Sequence, residues 1–165
     1  MTIPISVIVE RSKAITAWTE FVWRPAAVLG GVPDTAPWTQ IATETEVTTF
    51  YAGESQVELH LAEAENYRDN LSSDAPSVWV HLVPTERGVP YEIAAVTVDP
   101  AEGEALTAAE GVVEAVPMPD SVRDVVASFI AAHHKERVFE KRQRDRADPE
   151  ALARHSLRFR TGQPS

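Results

Sequence analysis

Ile3-Pro4-Ile5-Ser6-Val7-Ile8-Val9-Glu10 is the stretch on which the fold class turns. Ile3, Ile5, Val7 and Val9 alternate with Pro4, Ser6 and Glu10, and only Ile8 is out of phase. A period of two places the aliphatic side chains on one face of a strand. The signature recurs downstream. Phe21-Val22-Trp23-Arg24-Pro25-Ala26-Ala27-Val28-Leu29 is a second apolar run, closed by the turn cluster Gly30-Gly31-Val32-Pro33-Asp34. Pro25 cannot donate to a ladder, which predicts an edge position, a bulge or a break. Residues 38–43 and 47–52 flank Glu44-Thr45-Glu46, the pattern of a hairpin. Gly53-Glu54-Ser55 then predicts a turn into Val57, Leu59 and Leu61, a further strand paired with the one before it. The front half reads as an antiparallel meander.

Helical spacing enters at Leu61, Ala64, Tyr67, Arg68 and Leu71. Asp74-Ala75-Pro76 ends that helix, because proline disfavours helical backbone in the residue before it. Val78, Trp79, Val80 and Leu82, bounded by Pro84, predict a strand, and 91–98 predicts another. Asp99-Pro100 pairs an N-cap with proline at the first helical position. The helix that follows, to about residue 109, is weakly apolar and interrupted by Gly103. Val122, Val125, Val126, Phe129, Ile130 and His133 form one stripe on a 3.6-residue helix. Pro117-Met118-Pro119 marks its entry, and Ser121 with Asp124 is spaced like a capping box. The predicted fold is α+β: an antiparallel β-meander sheet packed by a long C-terminal amphipathic helix and one or two short helices. Residues 1–134 form a single domain; a basic helix extension through about residue 146 and a loosely ordered tail make up 135–165.

At 165 residues the chain fits one domain. It has no cysteine, which excludes a disulfide scaffold, a cysteine-ligated zinc or iron–sulfur site and a cysteine nucleophile. Charge is uneven. Residues 1–120 carry 5 Lys and Arg against 19 Asp and Glu, and residues 121–165 carry 10 against 6. The acidic body repels nucleic acid and anionic membrane; the basic end is open to an acidic partner. Lys135, Arg137, Lys141, Arg142, Arg144 and Arg146 are the partner-binding candidates there. The N-terminus has no basic residue before its apolar run, Pro4 interrupts that run, and no small-residue cleavage site follows, so no secretory signal is read. No stretch approaches the ~18 apolar residues of a spanning helix. The expectation is a soluble cytoplasmic protein, without nucleic-acid or membrane partners and of unassigned oligomeric state.

No complete catalytic constellation is visible. Neither G-x-x-x-x-G-K-[ST] nor G-x-G-x-x-G nor G-x-S-x-G occurs. Among five histidines, His133 and His134 point about 100° apart on a helix and do not share a ligand. His60 shares a strand face with Glu58, and a neighbouring strand bearing His81 would bring the three together as a weak metal candidate. The tryptophans Trp18, Trp23, Trp38 and Trp79 read first as large core residues, second as the lining of a ligand groove. Arg24, the lone positive charge in a long stretch, joins Trp23 and Trp38 as the ligand-binding candidates.

Val22-Trp23-Arg24-Pro25, Ala36-Pro37-Trp38, Phe50-Tyr51-Ala52-Gly53, Glu58-Leu59-His60, Tyr67-Arg68-x-Asn70-Leu71-x-Ser73, Pro76-Ser77-Val78 and Val116-Pro117-Met118-Pro119 resemble, in that order, one uncharacterised bacterial domain family. The resemblance covers about residues 3–143. It implies a gene neighbourhood of molybdenum-dependent formate dehydrogenase, and members are sometimes labelled molybdopterin-guanine dinucleotide biosynthesis protein A. The expected function is a non-catalytic accessory in biogenesis of a molybdenum enzyme, with formate dehydrogenase or its maturation factors as the protein partner and no cofactor of its own. The alternatives are a binder of a molybdopterin-type ligand or nucleotide, and the labelled nucleotidyltransferase. The last is disfavoured by the missing glycine-rich phosphate loop and the absence of a βαβ order.

Overall fold

The structure is a computed structural model. It describes residues 1–137, and within the last helix the side chains as far as His133. Residues 1–135 form one compact unit. The elements in chain order are β1 (Thr2–Lys13), β2 (Phe21–Gly30), β3 (Thr39–Glu44), β4 (Val47–Glu58), a 3₁₀ turn (Leu61–Glu63), α1 (Ala64–Ser72), β5 (Ser77–Pro84), β6 (Tyr91–Thr97), α2 (Pro100–Leu106), β7 (Val112–Pro117) and α3 (Asp120–Arg137).

The α+β class stands, but the single meander packed by a long helix is corrected. The strands divide into two antiparallel sheets, one of four strands in the order β2-β1-β4-β3 and one of three in the order β6-β5-β7. β7 lies against β2 and β6 against β4, so the sheets enclose a common interior. Ile3, Ile5, Val7 and Val9 of β1 meet Val57, Val78, Val80, Leu82, Val96 and Val116 in one cluster. Each fully buried aliphatic side chain of this kind contributes ~1.5–3 kcal/mol. The sheets therefore cover each other, and α3 is not the principal packing layer: its buried residues are Val122, Val126 and Phe129. Phe129 meets Tyr67 of α1 with ring centroids 6.2 Å apart. The expected continuation of the helix to residue 146 and the tail beyond it lie outside the described residues.

Two further corrections have local causes. The turn predicted at Gly53 is a bulge inside β4. Val7 of β1 pairs with Gly53 and Ile8 with Tyr51, leaving Ala52 as the extra residue. Gly53 has φ of 135°, a conformation glycine adopts without penalty. β4 consequently runs unbroken along β1 from Val47 to Glu58 and does not fold back on itself. β7 was not foreseen, because Val112 and Val113 are only half-buried and Glu114 and Ala115 are exposed. Pro25 does sit on an edge strand and at a bulge, opposite Val9 where the β1–β2 register shifts. Asp99 does cap α2, its carboxylate accepting from the Ala101 amide at 2.8 Å. Gly103 lies under the Trp79 ring, in space that a Cβ would occupy. The helix is interrupted in composition because a strand indole packs on it.

Candidate functional site

The inner face of β1 outlasts the core. Beyond Val9 the same parity continues to Arg11 and Lys13, where the second sheet no longer covers it. Arg11 stands opposite Trp23 on β2 and Thr48 on β4. Its guanidinium carbon lies 4.3 Å from the Phe21 ring centre, 5.5 Å from Trp23 and 5.4 Å from Phe50. Such contacts are attractive because the ring face is the negative end of its quadrupole. Trp23 also meets Trp38 edge to face at 6.0 Å and Tyr91, at the start of β6, at 6.1 Å. The result is a half-buried aromatic platform with a cation at its centre. Trp38 reaches it from a backbone with φ of 64°, a strained region for a bulky side chain that costs ~1–3 kcal/mol. The β1–β2 hairpin that bears the platform ends in a loop where Ile15 and Trp18 are fully solvent-exposed, Trp18 at 95%.

Of the sequence-predicted trio, Trp23 and Trp38 are brought together and Arg24 is not. Arg24 follows Trp23 in a strand, so it projects from the opposite face, where it pairs with Glu10 at 2.9 Å. Arg11 takes the place expected of it. Arg11, Phe21, Phe50 and Tyr91 were missed; the parity of Ile3 to Val9, carried two residues further, would have found Arg11. None of the four tryptophans is in the buried core. Trp23, Trp38 and Trp79 are half-buried, and Trp18 is in water.

His60 and His81 stay apart. Exposed His60 pairs with Glu58 at 3.5 Å. Buried His81, on the central strand of the other sheet, donates through Nε2 to the Glu110 carbonyl at 2.7 Å. Among the described residues no group of three metal-ligating side chains converges. Lys135 and Arg137 lie on the backbone of α3 with side chains outside the described residues; Lys141, Arg142, Arg144 and Arg146 lie outside them altogether.

A second cluster of polar side chains holds the fold. Asn70, buried at 3% exposure, donates to the Ser77 and Val98 carbonyls at 2.8 Å each and accepts from the Ser77 amide at 2.9 Å. It thereby pins α1 to β5 and to the residue after β6. The Tyr67 hydroxyl accepts from the His60 amide at 3.0 Å. Burial raises the Tyr67 pKa above its ordinary 10.0; the bond from His60 opposes this, and the charges of Asp99, Glu63 and Glu102 add to the rise. Asn66 ties Glu63 and Asp99 together at 3.0 and 3.1 Å. Every one of these polar side chains is occupied within the fold, which marks the cluster as structural.

A profile of proteins of unknown function matches residues 4–143. The chain belongs to the DUF3305 family. No curated protein and no solved structure matches it. In this DUF3305 member several of the motifs quoted above fall in one of two places. Tyr67, Asn70 and Ser77 form the buried staple, and Trp23, Trp38 and Phe50 form the open platform. No helix among the described residues is long and apolar enough to cross a membrane.

Proposed function

We propose that this protein is a non-catalytic accessory that binds a protein partner through the platform and the Trp18 hairpin tip, in the biogenesis of a molybdenum enzyme such as formate dehydrogenase. The observation that carries partner binding is the full exposure of Trp18 and Ile15 at the end of an aromatic face. An indole left in water adds nothing to the fold. Covered by a partner it removes ~150–250 Å² from solvent, and tryptophan is among the residues that dominate interfaces. The link to a molybdenum enzyme is supported by the family resemblance, and the non-catalytic reading by the motifs missing from the sequence.

The test is capture of the tagged full chain from formate-grown cells. Recovery of formate dehydrogenase or one of its maturation proteins, lost on Trp18→Ala, is the expected result. Recovery of neither defeats the reading. A second reading, a molybdopterin-type or nucleotide ligand, is favoured by the guanidinium lying against Trp23. Calorimetry with GTP and with the pterin cofactor separates the two, since only this reading predicts heat.

A further inference from the structure

Arg11 is the unusual cation of this chain. The first 120 residues hold 19 acidic side chains and 5 basic ones, so carboxylates are in excess. Arg24 and Arg87 each take one, from Glu10 and Glu92. Half-buried Arg11 meets none among the described residues; its one hydrogen bond there is a long one, 3.5 Å, from Nη2 to the Thr48 hydroxyl. A guanidinium has five N–H donors in a fixed fork. Three rings hold Arg11 in place while leaving most of those donors unused. Lys13 follows on the same face, exposed. Two cations on one surface of an otherwise acidic body complement an incoming negative charge.

We infer that Arg11 is an anion-recognition point, and that it takes a carboxylate from a partner segment whose neighbouring apolar side chain seats against Trp23 and Trp38. This deepens the partner-binding reading and rests on it. Ring geometry favours a peptide over a nucleotide. Trp23 and Trp38 meet at 79°, Trp38 and Phe50 at 54°, Trp23 and Tyr91 at 54°, and Trp23 and Phe50 at 35°. Such rings form a faceted surface for a side chain, not a parallel slot for a flat base. A chain of net charge −10 also opposes a doubly charged phosphate more than a single carboxylate.

Three probes test this on the full chain, followed by NMR of the indole and arginine Nε signals: N-acetyl-tryptophan, its uncharged amide, and guanosine monophosphate. The acid should shift Arg11, Trp23 and Trp38 saturably and bind about fivefold or more tighter than the amide, as a charge-assisted bond requires. Arg11→Gln should erase that preference and Arg11→Lys should keep part of it. Equal binding of acid and amide overturns the inference, as does tighter binding of the nucleotide. If Arg11→Gln fails to fold, the acid-to-amide ratio of the unaltered chain still decides. Captured partner without carboxylate preference defeats the role of Arg11 alone. Carboxylate preference without captured partner defeats the accessory reading alone.

Discussion

The two ends of β1 present the same face to different surroundings. From Ile3 to Val9 the inward side chains are aliphatic and buried; at Arg11 and Lys13 they are cationic and at least half open. The difference lies in the second sheet, which closes over the first end and meets the other with the Tyr91 ring. Alternation therefore reports which way a side chain points, and residue type reports whether anything lies on top of it. Aliphatic residues mark the covered end. Aromatic residues around an arginine mark the uncovered one, because rings tolerate a wet edge and a guanidinium tolerates a ring.

Substitutions in the buried interior and the elements pinned to it should destabilise the protein, and those at the open end should leave its stability nearly unchanged. Asn70→Ala is expected to have the largest effect. It strips partners from the Ser77 amide and from the Ser77 and Val98 carbonyls, which costs about 3 kcal/mol in urea denaturation. Gly103→Val drives a branched side chain into the Trp79 ring and should cost about 2 kcal/mol by the same measurement.

Tyr67→Phe comes next, at about 1 kcal/mol, for the bond from His60. It also carries a pH signature. Because the folded-state pKa of Tyr67 lies above its ordinary 10.0, the contribution is intact below pH 10 and drains away as pH rises past 10 toward the folded value. Alkaline denaturation curves of Tyr67→Phe should thus be flatter above pH 10 than those of the parent. The smallest stability effects belong to the open end and the outer face. Trp18→Ala and Arg24→Gln should each shift stability by less than about 0.5 kcal/mol. Trp18→Ala should nevertheless abolish partner capture while Arg24→Gln leaves it intact. A Trp18→Ala protein that melts several degrees early would break the division between the two ends.

Local chemistry was legible. Asp99 and Pro100 announce α2, the stripe from Val122 announces α3, and Pro25 announces an irregular edge. Pairing between distant segments was not. Nothing near Val47 says that β4 will turn past its hairpin partner and run the length of β1, since that choice is made by the shared interior. Gly53 reads as a turn because a turn and a bulge want the same backbone freedom. Of the trio Trp23, Arg24 and Trp38, the strand sets one member apart for a parity reason: neighbours in a strand face opposite ways, so adjacency in sequence is not adjacency in space. The cation that the platform does hold comes from another strand, through a register fixed only by the fold.

That register carries a break. β1 shifts against β4 between Val7 and Ile8, and against β2 between Ile8 and Val9. A one-residue slip normally flips every later side chain to the other surface. Here both neighbours have already absorbed such a slip beside residue 8. The aim of the open platform relative to the aliphatic ladder is thus set at one joint, where two bulges side by side bend the sheet and increase its twist.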